Sequence, residues 1–178
     1  MRRFIAERGW PPGPLKAMVP VNVREDGDVL GNRVSFVFAE LPCEEQNPVR
    51  RLHRVASTMT QRKRDREFEG ADLALKAAAL TPSVVQRAIA KMVASPRTFN
   101  LIVSNIPGPA EQLYMKGCPL QAAYPVVPLA DRHALSIGMT SVCDRACLGV
   151  YADGEAIPDA QRLAQDVDAE ITELLAGT

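Results

Sequence analysis

Two histidines, His53 and His133, and four cysteines, Cys43, Cys118, Cys143 and Cys147, are the side chains best able to do chemistry here. A histidine serves as general base for acyl transfer because its ordinary pKa lies near neutrality. Neither histidine opens an HxxxD arrangement, since Ser57 stands four residues after His53 and Ile137 four after His133. No GxSxG elbow, phosphate-binding P-loop or GxGxxG fingerprint occurs. The sequence therefore offers no catalytic residue, and both histidines read as surface or boundary positions. The cysteines form no CxxC pair, and the 143/147 spacing matches no common zinc site, so no metal site is expected. Scattered thiols suit a reducing cytoplasm better than a disulfide framework. One enzymatic arrangement survives among these residues: a thiolate at Cys143 or Cys147 with His133 as its base, which requires the two to meet in space.

Binding chemistry has a clearer address in Phe99 to Pro109, FNLIVSNIPGP. A buried strand ends in Ser104 and Asn105, small polar side chains that hold backbone groups in a turn. Ile106-Pro107-Gly108-Pro109 then forms a stiff loop whose one conformationally free residue is Gly108. Rigid turns at strand ends are places where binding groups are displayed. From the pattern alone, a loop that merely splits two strands and redirects the chain is the simpler reading. The stretch Ala134 to Val142 alternates Leu135, Ile137 and Met139 on one side with Ser136, Gly138 and Thr140 on the other. A face of small residues leaves room for something beside it, a packed element or a ligand.

The elements that must position these groups follow from period and punctuation. Residues 1–8 read as the last turns of a helix ending at Gly9 and the breaker run Trp10 to Pro14. Leu15 to Val23 reads as a strand that Pro20 demotes to an edge or a bulge. A polar turn, Arg24 to Gly31, precedes a strand over RVSFVFAEL, carrying Val34, Phe36, Phe38 and Leu41. A helix from about Pro48 to Gly70 has Val49, Leu52, Ala56 and Met59 as its apolar stripe and ends in the charged run Arg62 to Glu67. That run fits a solvated helix end; contact with phosphate or an anionic membrane surface is the sharper alternative, weakened by its acidic members. Helices at Ala71 to Leu80 and Ser83 to Ala94 follow. The remainder is mainly β, with strands expected at Leu113–Met115, Leu120–Val127, Ala134–Val142 and Ala146–Ala152. A last helix opens at Pro158-Asp159, with the stripe Leu163, Val167, Ile171 and Leu174.

SNIPGP is similar to the Asn-x-Pro-Gly-Pro signature in the second half of the wax ester synthase/diacylglycerol acyltransferase family. MVPVNVR (Met18 to Arg24) resembles that family's Met-Val-Pro-Val-x-x-Arg strand, and LGNR (Leu30 to Arg33) its Leu-Gly-Asn block. Pro125 to Asp131 resembles the Tyr-Pro-x-x-Pro-Ile-Ala-Asp stretch, and LGVYADGEAIPD (Leu148 to Asp159) the strand before the last helix. The resemblance covers essentially the whole chain, with the blocks in the family's order. The departures are specific. The catalytic His-His-x-x-x-Asp-Gly motif of the family's first half does not occur, nor does the Asn-Asp motif expected just before Arg2. The family's Asn-Gly hairpin is replaced by Cys143-Asp144, which disfavours a type I′ turn. Its Asp-Phe-Gly becomes Cys147-Leu148-Gly149, leaving the Asp's role unfilled and the glycine in place.

The resemblance implies an α/β fold of the chloramphenicol acetyltransferase type, one half with a mixed sheet flanked by helices, as a single domain over residues 1–178. It implies acyl transfer from acyl-CoA to diacylglycerol or a long-chain alcohol. In that reading Ser104, Asn105, Pro107, Gly108, Ser136, Gly138 and Gly149 contribute substrate-binding and channel surface, and acyl-CoA is a substrate, with no cofactor required. Expected partners are an amino-terminal acyltransferase half or a second copy. A docking module or remnant without catalysis is the alternative, and no activity is expected of this chain alone.

Composition sets the outer bounds. Hydrophobic residues make up 47% and charged residues 24%, as in ordinary globular domains. The 21 basic and 21 acidic side chains cancel, which argues against a nucleic-acid partner. No apolar run approaches the roughly 20 residues of a membrane span, and the start does not read as a secretory signal. The expected location is cytoplasmic, with peripheral contact at membranes or lipid bodies.

Overall fold

A computed structural model describes residues 1–11, 13–22, 34–64, 70 and 80–176. The polar turn, the LGNR block, the charged run beyond Arg64 and the helix expected from Ala71 lie almost wholly outside these residues. In chain order the elements are α1 (Arg2–Glu7), β1 (Leu15–Asn22), β2 (Val34–Leu41), α2 (Pro48–Arg64), α3 (Ser83–Val93), β3 (Leu101–Ile106), β4 (Tyr114–Met115), β5 (Cys118–Pro119), β6 (Leu135–Val142), β7 (Arg145–Ala152) and α4 (Ala160–Ala176). The main sheet runs β2-β1-β3-β6-β7. Its centre, β1-β3-β6, is parallel, and the outer pairs β1-β2 and β6-β7 are antiparallel.

Local chemistry explains the boundaries. Gly9 closes α1 in the left-handed region at φ 64°. Asn47 caps α2: its Oδ1 accepts the Arg50 N–H at 3.0 Å, and Pro48 follows at the first helical position. Pro20 is accommodated because β1 is interior for only part of its length. β1 pairs with β2 throughout, whereas its described pairing with β3 is confined to Ala17↔Leu101 and Met18↔Ile102. The proline, which has no N–H to give, lies on the half facing no second neighbour.

One face of the sheet carries α1, α2 and α4. Phe4, Ala17, Leu101, Leu135, Ile157 and Leu163 form the core between α1, α4 and this face. In β2 the buried positions are Ser35, Val37 and Ala39, while Phe36 and Phe38 of the expected alternation point to the other face and are half-buried. Side chains tie the helices to one another. Glu170 accepts hydrogen bonds from Arg3 at 2.9 Å and from Arg51, joining α1, α2 and α4. Arg162 pairs with Glu7 at 2.7 Å, and Arg8 pairs with Asp159 while lying 3.4 Å above the Phe4 ring.

Three expectations are corrected. Of the expected α2 stripe, Val49, Leu52 and Ala56 are exposed and Met59 is half-buried, while Leu52 lines, with Pro48, Arg51 and Val55, the cavity between α2 and α4. Leu120 to Val127 is not a strand; with Pro125 in it and Pro128 just after, it lacks ladder donors and crosses the sheet as an irregular segment. The stripe of α4 is fully buried only at Leu163, and Ile171 is exposed. The expected turn holds a surprise of detail: of Cys143 and Asp144, only Cys143 has positive φ, at 54°, so the hairpin is not type I′. Type I′ geometry appears instead at Lys116-Gly117, with φ 49° and 84°, between β4 and β5.

Candidate functional site at the carboxyl edge of the parallel strands

The three parallel strands end on one edge at Asn22, Ile106 and Val142. Open α/β sheets bind ligands outside the carboxyl ends of their strands. The MVPVN strand and the SNIPGP loop, separated by some eighty positions in sequence, therefore converge where binding chemistry is to be sought. Register places Ser104 opposite Gly138 and Gly138 opposite Gly149, so these three lie on one line across β3, β6 and β7. Ser136 lies one step down the same face, opposite Ile102 and Tyr151.

The Pro-Gly-Pro loop is bound to the end of β6. Thr140 Oγ1 donates to the Ile106 carbonyl at 2.6 Å, and the Cys143 N–H donates to the Pro109 carbonyl at 2.9 Å. The Gly108 N–H donates to Ser141 Oγ at 3.3 Å. A Cβ on Gly108 would come 1.7 Å from the Ser141 carbonyl oxygen, so only glycine permits this approach. Pro107 and Pro109 have no N–H and that of Gly108 is taken, so residues 107–109 hold no spare backbone donor. What the strand end does present is two adjacent side chains. The Ser104 hydroxyl, mostly buried, and the Asn105 carboxamide, exposed, make no hydrogen bond among the described residues. The two point to opposite faces of the sheet, and the exposed carboxamide can donate to and accept from an amide, ester or thioester.

The small face of β6 is occupied by the chain itself. A Cβ on Gly138 would meet Pro125 and Val127 side-chain atoms at 2.9 Å, and one on Gly149 would meet the Pro125 carbonyl oxygen at 2.0 Å. Ser136 Oγ donates to the Val127 carbonyl. Ser136, Gly138 and Gly149 thus seat segment 125–127 against the face of the sheet that carries Ser104, opposite the face of Asn105. Thr140 and Ser141, which position the loop, carry no motif in the sequence. The signal that was available is the pair Pro125 and Pro128, which rules out a ladder strand.

Neither histidine reaches this edge as a working base. His53 is exposed on α2. His133 is buried, with Nδ1 2.9 Å from the Asp131 carbonyl and Nε2 3.1 Å from that of Phe99, and its ring stacks on Phe99 at 4.1 Å. It pins the turn before β6 to the start of β3 and is an interior residue, not the surface or boundary position expected. The thiol-histidine arrangement fails on distance. His133 precedes β6 and Cys143 follows it, so the eight residues of the strand, at about 3.3 Å each, hold them roughly 25 Å apart. Cys147, opposite Thr140, lies near the same far end. Burial pushes the Cys43 thiol above its ordinary pKa. Among the described residues no group of three or more His, Cys, Asp or Glu could hold a metal ion, and no helix is long and apolar enough to cross a membrane.

Two cavities lie away from this edge: one, of about 300 Å³, sits between α2 and α4, and another, of about 430 Å³, lies at the amino ends of β1, β3 and β6. A third, of about 450 Å³, lies between β7 and α4 and reaches Ala146 and Cys147 beside the end of β6. Asn105 stands on an open surface, as one wall of a site would.

A mixed five-stranded sheet flanked by helices, carrying a rigid Asn-Ile-Pro-Gly-Pro turn at its parallel edge, is one half of the chloramphenicol acetyltransferase type of fold. Residues 30–175 match the WS/DGAT C-terminal domain, and the chain belongs to that family. It is 33% identical over 169 residues to an O-acyltransferase WSD of Acinetobacter baylyi, covering 94% of this chain and 37% of that protein. In structure it is similar to a wax ester synthase/diacylglycerol acyltransferase from Marinobacter aquaeolei VT8, with a TM-score of 0.74 and 26% identity, covering 99% of this chain and 40% of that one. The chain thus spans about two fifths of the length of these relatives.

Proposed function

We propose that the chain is the carboxy-terminal half of an acyl-CoA-dependent O-acyltransferase acting on diacylglycerol or a long-chain alcohol. The observation that carries this reading is the family match over residues 30–175, and it is supported by the place of the signature loop at the carboxyl edge of the parallel strands, where open α/β sheets bind ligands. In this role Ser104 and Asn105 contact the thioester, the pantetheine amides or the acceptor. Pro107 and Gly108 hold the turn, and Ser136, Gly138 and Gly149 seat the segment beneath it. The chain forms one domain, and neither of its histidines is placed to serve as the base: His133 is committed to carbonyl oxygens and His53 is exposed on α2. The base comes from an amino-terminal half bearing the His-His-x-x-x-Asp-Gly motif, which docks against the carboxyl edge and closes a water-excluding channel. Contact with a membrane or lipid-body surface supplies the acceptor.

The test is acyl-CoA-dependent ester formation with hexadecanol and diacylglycerol, using this chain alone and mixed with a family amino-terminal half. Ester formed only in the mixture supports the reading. Ester formed by the chain alone sinks it, because the base would then lie within these residues. Inactivity in both, with no complex between the halves, favours a remnant.

A further inference from the structure

The cavity of about 430 Å³ at the amino ends of β1, β3 and β6 has no part in the site just described, since β3 alone separates the two ends by six residues, roughly 20 Å. Its floor is built from Phe4, Ile5, Leu101, Leu135 and Ile157, every one less than a tenth exposed. Trp10, half exposed at 51%, stands at its mouth. Asn100 is the one side chain with a carboxamide, hydroxyl or charge among its lining residues. The Asn100 Oδ1 accepts the Lys16 N–H at 2.7 Å, and its Nδ2 makes no hydrogen bond among the described residues. Ligand pockets have this composition: a few hundred Å³, apolar walls and very few polar groups that fix orientation.

We infer that this cavity is a binding site for a single unbranched aliphatic chain with a neutral, hydrogen-bond-accepting head, held by the Asn100 Nδ2–H. At about 30 Å³ for a water-sized group, its volume takes roughly a dozen methylene-sized units. The head is neutral because no Lys, Arg or His side chain is among the lining residues to meet a carboxylate. The ammonium of Met1, a lining residue, feels the charges of Asp166, Glu170 and Arg51 on the α2–α4 side, and Arg8 lies 3.4 Å over the Phe4 ring and pairs with Asp159. An anion placed beside Asn100 would lose water without gaining a counter-charge. This inference goes beyond the acyltransferase reading and needs neither a partner half nor turnover.

Trp10 is the sole tryptophan of the chain, so its emission reports on the cavity mouth without labelling. The experiment is a fluorescence titration of the full chain with 1-decanol and, separately, with decanoate below its micellar range. A saturable blue shift with decanol and none with decanoate is expected. Ala156→Phe, at the exposed rim, should move the decanol midpoint at least tenfold upward while leaving the thermal melt unchanged. Asn100→Asp, which keeps the acceptor for Lys16 and removes the donor, should weaken decanol about tenfold. No saturable shift, or an unaltered titration in Ala156→Phe, overturns the site. Decanoate titrating like decanol overturns its neutral class.

Discussion

Gly138 and Gly149 face each other across β6 and β7, and the space their missing side chains leave is filled by Pro125 and Val127. The two contacts differ in kind. Gly138 meets the ends of side chains, which can give, whereas Gly149 meets a backbone carbonyl at 2.0 Å. Gly149→Ala should therefore cost about 2–3 kcal/mol and Gly138→Ala about 1 kcal/mol or less, as expected for overpacking against rigid and yielding neighbours. Urea denaturation of the two variants checks the order. Equal losses would mean that segment 125–127 moves freely off the sheet.

Gly108→Ala addresses the loop. The new methyl group would stand 1.7 Å from the Ser141 carbonyl oxygen, so the turn must lift from β6 and carry Asn105 with it. Misplacement by about 1 Å can cost on the order of a hundredfold in rate. Ester formation by the mixed halves should fall at least tenfold, with a smaller effect from Ser141→Ala, which removes only the 3.3 Å contact to the Gly108 N–H.

His133 separates a structural from a catalytic role. His133→Phe keeps a ring on Phe99 and deletes the contacts to the Asp131 and Phe99 carbonyls. Stability should drop by about 1–3 kcal/mol, the cost of stranding buried polar groups. Ester formation per folded molecule in the mixed halves should stay within about twofold of wild type. A loss of several orders of magnitude would make His133 the base after all.

How far the sequence carried this reading depends on the range of the interaction. The strands around Ala17, Leu101 and Ile137 and the turn at Asn105 to Pro109 were legible because period and proline-glycine punctuation are local signals. The seat of segment 125–127 on Gly138 and Gly149 was not, since nothing local says which backbone will approach a glycine. The exposed stripe of α2 misled for a related reason. Val49 and Ala56 have the spacing of a core face, but Arg51, bonded to Glu170 on α4, turns the side bearing Pro48, Leu52 and Val55 inward. His133 read as a surface or boundary residue because its two carbonyl partners come from Asp131 and from Phe99, the second more than thirty residues away.

Glu170 predicts a pH dependence. Burial works against its charged form, but the Arg3 hydrogen bond and the nearby Arg51 charge prevail and hold its carboxyl below the usual range. A carboxyl depressed by folding contributes stability above its unfolded pKa of about 4.3 and loses that contribution as pH falls through the folded value. Glu170→Gln should thus cost about 1–2 kcal/mol at pH 7, and the gap to wild type should narrow as pH is taken below about 4. Paired denaturation curves at the two pH values measure it. A gap that persists unchanged in acid would show that shape and not charge holds α1, α2 and α4 together.

Asn105 is the sharpest probe of the carboxyl edge, because its side chain is exposed and makes no hydrogen bond among the described residues. Asn105→Ala should leave stability within about 0.5 kcal/mol of wild type, as for surface positions without partners. If the carboxamide donates to a carbonyl whose charge grows during transfer, its removal should lower kcat/KM of the mixed halves by on the order of a hundredfold. A rise in KM alone would place Asn105 on a part of the substrate that does not react, such as a pantetheine amide. Unchanged kinetics would remove Asn105 from the site and leave Ser104, opposite Gly138 on the other face of the same strand, as the group to vary next.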